Sequence, residues 1–390
     1  MIKSWRPLTM LPSTFKYHEL LQKWILEDFI RNRPKSKIQH AFVEGKGTET
    51  AIADFVNNLE RTVLRGEHCI SISLDVDGAF NKTQQMGVVE SMRDEGYPDI
   101  FTNWYESFLM NQIACVDTGI AKSSRGLTRG VPQGALTSPR AWNTYFEPVL
   151  QEANKGPGKV VAYADDFTIS FAGPDLDTVQ RIAQQSLTKI VKVGGDRGIT
   201  FNPVKTVVMH SGNDPDPEGS LNELSMSGQS IPYSDEMTYL GMKITKNLDF
   251  NPHLDEKIKS AKRKLMALRS AIGKFWGPKP SLMLWAYKQV VLPALTYGCF
   301  VYAHKVSKKS TERLKKVSRL AHLLLAPIAR SAPTGGLEVI SESAPIHIQM
   351  SDLSMNAVLR IGQPKPVWEG LTANGSKGFY RFWSDKIPDS

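Results

Sequence analysis

The chain has 390 residues, 41% hydrophobic and 22% charged, with a formal net charge of +9. That length can bury a large core in two or three subdomains, the composition is that of a soluble globular protein, and the excess of positive charge favours an acidic partner, nucleic acid first and an anionic membrane surface second. Three scattered cysteines (Cys69, Cys115, Cys299) exclude a CxxC zinc cluster and a disulfide framework, and with no signal-peptide pattern at Met1–Pro7 they fit a reducing intracellular compartment.

Trp5-Arg6-Pro7-Leu8-Thr9-Met10-Leu11-Pro12 reads as an extended opening, because each proline biases its predecessor away from helix. A helical pattern follows from about Ser13 to Asn32, with Phe15, Leu20, Leu21, Trp24, Ile25, Leu26 and Phe29 forming a broad apolar face. Gln39 through Thr48 sets two glycines around Lys46, an arrangement open to a phosphate but short of a Walker motif and more readily read as a plain loop. A helix from about Thr50 to Leu64 leads to the strand from Cys69, whose alternation puts Ile70, Ile72 and Leu74 on one face and Asp75 at its end. Helices are expected over Gln84–Glu95 and Phe101–Met110, and a strand over Ile113–Asp117. Arg125 to Asn143 begins as a loop rich in glycine and proline and passes into a helix with Pro139 near its first turn. The N–H groups of such a helix start can hold a nucleic-acid backbone or a nucleotide.

The stretch Val160–Phe171 organises the rest. Two runs rich in apolar and β-branched residues flank Asp165-Asp166, which reads as a tight hairpin turn. Adjacent like charges repel, so the turn is unfavourable unless solvated or facing a cation, and hard carboxylate oxygens suit Mg²⁺ or Mn²⁺. Alone, the stretch fits a solvated surface hairpin equally well. A helix over Leu176–Val193, a turn through Gly198–Thr206 and a strand over Val207–His210 follow, then a flexible loop over Ser211–Ser220. Thr238–Thr245 reads as one strand with a bulge or close approach at Gly241. Beyond Phe250 the chain turns helical and basic. In Glu256–Ile272 apolar residues recur three and four apart, with Lys257, Lys259, Lys262, Arg263, Lys264 and Arg269 between them, either a solvated face or a phosphate-facing surface. A second basic helix runs from about Thr311 to Leu325, and the tail from Pro364 reads as loosely ordered. The longest apolar run, Val290 to Ala303, is too short to span a bilayer and contains Pro293.

Asp75 and Asp165-Asp166 each sit at the edge of an expected strand, with helices between them long enough for crossovers. Carboxylates from two strand edges can bridge two Mg²⁺ ions about 4 Å apart, the spacing suited to in-line phosphoryl chemistry. One ion would lower the pKa of a primer 3′-hydroxyl and the other would neutralise the leaving pyrophosphate. The residues alone reach a metal-dependent enzyme acting on nucleic acid, with polymerase and nuclease both open.

Tyr163-Ala164-Asp165-Asp166 resembles the YxDD box of reverse transcriptases, and Leu74-Asp75-Val76-Asp77-Gly78-Ala79-Phe80 resembles their first catalytic box. Between them, Arg129-Gly130-Val131-Pro132-Gln133-Gly134 with Ser138-Pro139 and Asn143 resembles the RG-V-PQG-x-x-SP box, in matching order and spacing. Arg6-Pro7 and Gln39–Thr48 resemble the fingers boxes, Asn202-Pro203-x-Lys205-Thr206 the box after the hairpin, and Tyr239-Leu240-Gly241 the primer-grip box. These last forms, and the tail with Ser318-Arg319-Leu320, Pro333-Thr334 and Leu337-Glu338, are most similar to non-LTR (LINE-like, jockey-like) retrotransposon polymerases.

The resemblance implies an α+β right-hand polymerase with a palm built on an antiparallel sheet: residues 1–68 fingers, 69–250 palm with a fingers insertion, 251–330 basic helical thumb and 331–390 a C-terminal extension. It implies an RNA-directed DNA polymerase that takes dNTPs, an RNA template and a DNA primer, with two Mg²⁺ ions or Mn²⁺. Asp75, Asp165 and Asp166 would bind metal with the Val76 carbonyl, and Lys205 would donate a proton to pyrophosphate. Phe80 would be the steric gate against a ribose 2′-hydroxyl, and Gln133 and Gly134 would line the nucleotide pocket. Arg6 and Lys46 would touch the triphosphate, and Tyr239, Leu240, Gly241, Lys259, Lys262 and Arg263 would face nucleic acid. Asn81 departs from the usual Asp, and Arg140-Ala141-Trp142 from the usual apolar run after Ser-Pro. The basic segment expected ahead of the first fingers box is missing, and endonuclease or RNase H domains would lie elsewhere in the element. A truncated, catalytically silent nucleic-acid-binding relic and a group II intron maturase are the alternatives, the tail speaking against the second. An RNA-dependent RNA polymerase would more often show Gly before the Asp pair.

Overall fold

The spacing of apolar residues turns into elements largely where it predicts them. In the computed structural model, residues 9–32, 36–212, 221–270, 277–325 and 329–361 are described. Arg6, Ile272, the tail from Pro364 and most of the Ser211–Ser220 loop lie outside these residues. The first elements are α1 (Ser13–Arg31), α2 (Thr48–Leu64), β1 (His68–Leu74), α3 (Ala79–Lys82), α4 (Gln85–Asp94), α5 (Asp99–Met110), β2 (Ile113–Asp117) and β3 (Lys122–Gly126). Next come α6 (Ser138–Lys155), β4 (Lys159–Tyr163), β5 (Asp166–Gly173), α7 (Leu176–Asp196), β6 (Val207–Ser211), β7 (Leu224–Met226), β8 (Gln229–Ile231), β9 (Glu236–Tyr239) and β10 (Met242–Thr245). Helices follow: α8 (Asn251–Ser270), α9 (Pro280–Ala286), α10 (Leu292–Leu295), α11 (Cys299–Tyr302), α12 (Lys308–Leu325), α13 (Thr334–Ile340) and α14 (Ile346–Ile361). The chain divides into two units, Met1–Ala51 with Arg65–Ser234, and Ile52–Leu64 with Asp235–Ser390.

The first unit is built on a four-stranded sheet in the order β4-β5-β1-β6, antiparallel throughout. Ile70, Ile72 and Leu74 are buried on one face as alternation requires, but Cys69 and Ser71 are buried too, so β1 is covered on both sides. The Ser71 and Ser170 hydroxyls answer each other at 3.1 Å across β1 and β5. Helices α6 and α7 pack on the sheet and on each other, and α4 joins α6 to α5. An aromatic column runs through this core: Trp142 stacks on Phe146 at 5.3 Å, and Phe146 meets the edge of Phe167 at 5.5 Å.

Two expectations are corrected. Only part of the apolar face of α1 turns inward: Leu26 is buried and Phe15 and Phe29 pack on Phe108 and Tyr97, while Leu20, Leu21, Trp24 and Ile25 are exposed and Glu19 and Gln22 are buried instead. Glu19 takes an inward position because its carboxylate accepts from the Thr137 hydroxyl at 2.9 Å and the Thr137 N–H at 3.3 Å, at the N-terminus of α6. A helix N-terminus favours a carboxylate, and this contact fixes the rotation of α1. Second, Thr238–Thr245 is not one strand but the hairpin β9–β10, turning at Leu240 (φ 47°) and Gly241 (φ 75°). Two consecutive positive φ values belong to the tight turn that matches strand twist. A Cβ on Gly241 would meet nothing nearer than Tyr297 Cε1 at 3.8 Å, so backbone angle rather than crowding calls for glycine.

In the second unit, Ile52, Phe55, Val56 and Leu59 of α2 are buried, and Phe55 meets the edge of Tyr239 at 5.4 Å. Helix α8 packs against β10, α10 and α12, burying Ile258, Ala261 and Leu265 and leaving Lys259, Lys262 and Arg263 exposed. Among the described residues, no helix is long and apolar enough to cross a membrane.

Phe146 is fully buried at the middle of the aromatic column. Phe146→Ala is expected to lower unfolding free energy by about 3–5 kcal/mol, read as a fall in the urea midpoint without a change in slope.

Candidate active site

Strand register brings the carboxylates together. Leu74 pairs with Phe167 and Tyr163 with Asp166, so Asp75 leaves β1 beside Asp166 while Asp165 sits in the two-residue turn between β4 and β5. Beyond Asp75 the chain stays pinned: Asn202 N–H donates to the Asp75 carbonyl at 2.9 Å and Asp77 N–H to the Thr200 carbonyl at 2.8 Å. These two bonds flank the Val76–Phe201 bridge and leave the Val76 carbonyl outside the ladder. Asn202 then folds its own turn, accepting from the Val204 N–H on Oδ1 and from the Thr206 N–H and hydroxyl on its carbonyl. This is the local reason for the Asn-Pro-x-Lys-Thr pattern, and it delivers the Lys205 ammonium to 3.3 Å from Asp75 Oδ2.

Three carboxylates and the Val76 carbonyl make an all-oxygen donor set, which fits a hard divalent cation. As they stand, with Asp75 engaged by Lys205, no three His, Cys, Asp or Glu side chains converge on a metal position among the described residues.

Beside this edge, Phe80 is half-buried and its ring stacks on Trp142 at 5.6 Å. The Phe80 carbonyl accepts from the Val131 N–H at 2.8 Å, stitching the 129–133 loop to α3. Gln133 donates from Nε2 to Asn81 Oδ1 at 3.2 Å, and its carbonyl accepts from the Thr9 N–H at 2.8 Å. Gly134 has φ 113°, and a Cβ there would lie 3.2 Å from the Thr9 carbonyl oxygen. A carboxylate at position 81 would accept from Gln133 equally, so the Asn81 departure preserves this contact. Trp142, legible in the sequence only as a departure, is the floor under Phe80.

The Lys46 ammonium donates to the Ser36, Lys37 and Gln39 carbonyls at 2.8, 3.0 and 3.3 Å. Three donors held by backbone oxygens make it a clamp on its own loop.

In the second unit, Tyr239 is 1% exposed and its ring packs inside. The hairpin tip is exposed at Gly241 and is held from behind. Tyr297 donates its hydroxyl to the Leu240 carbonyl at 2.6 Å, and Lys257 its ammonium to the Gly241 carbonyl at 3.0 Å. His253 Nδ1 accepts from the Lys243 N–H at 3.1 Å, and Nε2 lies 3.1 Å from the Tyr297 carbonyl. That pattern requires the neutral tautomer protonated on Nε2.

The family described as reverse transcriptase (RNA-dependent DNA polymerase) matches residues 2–244, which hold all three carboxylates and the loops around them. The chain belongs to the reverse transcriptase family. It is 21% identical over 371 residues to a putative 115 kDa protein in type-1 retrotransposable element R1DM of Drosophila melanogaster, covering 93% of this chain and 34% of that protein. It is 23% identical over 366 residues to a retrovirus-related Pol polyprotein from type-1 retrotransposable element R1 of Bradysia coprophila, covering 92% and 35%. An RNA-directed DNA polymerase from mobile element jockey of Drosophila melanogaster is 23% identical over 314 residues, covering 77% and 33%. The chain spans about a third of the length of these curated relatives. Among solved structures, apo telomerase from Candida Tropicalis covers 94% of this chain and 61% of its own at 11% identity, with a TM-score of 0.44. Reverse transcriptase domains generally use divalent metal ions and act on a nucleic-acid template and primer.

In this member of the reverse transcriptase family the His253 tie is sensitive to acid. Burial is the largest cause holding His253 below the ordinary histidine value of 6.5, with the Tyr297 carbonyl opposing it. The unfolded chain takes up a proton near 6.5 and the folded chain only lower, so between those values the unfolded state binds more protons and stability falls as pH falls. Urea unfolding at pH 7.5 and pH 5.5 is expected to show a smaller acid-side loss in His253→Ala than in the wild type.

Proposed function

We propose that the chain is an RNA-directed DNA polymerase of a non-LTR retrotransposon, adding dNTPs to a DNA primer 3′-hydroxyl on an RNA template inside the cell. The observation that carries the reading is the strand register that sets Asp75 beside Asp166, with Asp165 in the adjoining turn and Lys205 at 3.3 Å from Asp75, in a member of the reverse transcriptase family. In this reading the four-stranded sheet is the palm, the β9–β10 hairpin the primer grip, and α8 and α12 the thumb. Endonuclease or RNase H domains of the element would be its partners.

Asp75, Asp165, Asp166 and the Val76 carbonyl would hold two Mg²⁺ ions, or Mn²⁺. Bound there, the ions would acidify the primer hydroxyl and neutralise the leaving pyrophosphate. Lys205 stands on a turn folded by Asn202, exposed enough to leave Asp75 for the triphosphate and donate a proton to pyrophosphate as the bond breaks. Gln133 and Gly134, fixed through Asn81 and Thr9, would line the nucleotide pocket. Phe80, backed by Trp142, would occupy the space a ribose 2′-hydroxyl needs. Arg6 keeps its proposed triphosphate role from sequence alone. Gly241 would present the grip to the primer with Leu240 behind it and Tyr239 as a buried anchor, and Lys259, Lys262 and Arg263 would meet the phosphate backbone.

Primer extension on oligo(dT)-primed poly(rA) with Mg²⁺ and dTTP tests this. Extension by the wild type and none by Asp165→Ala/Asp166→Ala is expected. Retained template–primer binding without extension by the wild type would overturn the polymerase reading in favour of a silent binding protein. Extension by both proteins would refute the assigned carboxylates. With activity in hand, Phe80→Ala is expected to raise rNTP incorporation relative to dNTP, and unchanged sugar selectivity would remove Phe80 as the gate.

A further inference from the structure

The turn that carries Asp165 and Asp166 contains an unexpected residue. Tight two-residue hairpins take positive φ at their first central position, where glycine or asparagine is usual because a Cβ crowds the following carbonyl. Here that position is Ala164, at φ 58° and 7% exposed. No feature of the hairpin's own sequence favours that geometry. The stabilising group comes from 125 residues away in the chain.

Ile38 to Ala41 runs as a strap along β4. The Ala162 N–H donates to the Ile38 carbonyl at 3.0 Å and the His40 N–H to the Ala162 carbonyl at 2.8 Å, a parallel bridge between Gln39 and Ala162. The Gln39 side chain, 1% exposed, passes under the turn. Its Oε1 accepts from the Ala164 N–H at 2.9 Å and the Ala41 N–H at 3.0 Å, and its Nε2 donates to the Ala164 carbonyl at 3.3 Å. One amide thus grips both polar groups of the residue before the two aspartates. The strap is fixed in turn: Asn143 of α6 donates to the Ala41 carbonyl at 2.9 Å, and Lys46 to the Gln39 carbonyl.

We propose that Gln39 is a positioning residue for the active-site carboxylates, its amide holding the Ala164 peptide in the left-handed turn that sets where Asp165 and Asp166 leave the hairpin. The role rests on the reading of those aspartates as metal ligands. It also assigns the Gln39–Lys46 loop a task other than phosphate contact, because Lys46 braces the strap that Gln39 works from.

The test uses the full chain with Gln39→Met, which keeps side-chain length and removes every bond, and with Ala164→Gly, which lets the turn reach positive φ unaided. In Gln39→Met, kcat for primer extension is expected to fall about 10- to 100-fold and Mn²⁺ affinity, read by electron paramagnetic resonance without substrate, about 10-fold, as is usual when a ligand's supporting partner is lost. The KM for dTTP and template–primer affinity should stay within about twofold, since removing an interaction made in the transition state alone lowers kcat and spares binding. Amide exchange in peptides spanning 160–170 should quicken. Adding Ala164→Gly to Gln39→Met should restore part of both kcat and Mn²⁺ affinity.

Wild-type kcat and Mn²⁺ affinity in Gln39→Met would overturn the proposal. So would a parallel loss of kcat, KM and template binding that Ala164→Gly leaves untouched, the mark of a merely structural residue. Should Gln39→Met fail to fold, Gln39→Glu retains an acceptor for the Ala164 and Ala41 N–H groups. With the Nε2 donor to the Ala164 carbonyl lost, its turn must exchange faster than the wild type in peptides spanning 160–170, and wild-type exchange there would overturn the proposal. If the wild type extends no primer yet binds Mn²⁺ through Asp165 and Asp166, and Gln39→Met weakens that binding, the polymerase reading fails while the role of Gln39 stands.

Discussion

Carboxylates repel, and the register of β1 on β5 puts two of them side by side with a third in the adjoining turn. Everything near that edge answers this constraint. A slip of one residue would carry Ile70, Ile72 and Leu74 off their face and take Asp75 away from Asp166, so burial of β1 on both faces is what keeps the charges together. The Ser71–Ser170 contact adds a polar check on the same register. Beyond the strand ends, the Asn202 turn brings one ammonium to Asp75, offsetting part of the repulsion without filling the edge.

The two units solve a similar problem in similar ways. Each has a hairpin whose turn includes a non-glycine residue at positive φ, Ala164 in one and Leu240 in the other. In each, side chains distant in sequence take hold of the turn's backbone: Gln39 at Ala164, and Tyr297 and Lys257 at Leu240 and Gly241. A turn made only by its own sequence would sample several conformations. Hydrogen bonds from side chains distant in sequence narrow that range in both turns.

Much of this was legible in the sequence because it is locally determined. Helices α4 to α8 and strands β1 and β4 to β6 follow from periodicity, and Asp75 and Asp165-Asp166 stand where strands must end. What was not legible depends on partners far along the chain. The rotation of α1 is set by Glu19 meeting Thr137, 118 residues away, so its apolar spacing misleads. The β9–β10 turn hides because Leu240 gives no turn signal ahead of Gly241. Tyr239 and Lys46 have the right residue types, but burial and three backbone carbonyls determine what they do. Strand β2 stands where Ile113–Asp117 reads as a strand, but its partner β3 is exposed along its whole length and has no alternation to announce it.

The strap along β4 has a counterpart at the other end of the sheet, where the Ser234 N–H donates to the Val208 carbonyl at 2.8 Å beside a parallel bridge between Val208 and Tyr233. Each outer strand, β4 and β6, is therefore overlaid by a short stretch of its own chain. Bare outer strands are templates on which another polypeptide can add itself by backbone pairing. Short parallel cover on both sides deprives a passing copy of that template, which guards the chain against self-association at the sheet that carries its aspartates.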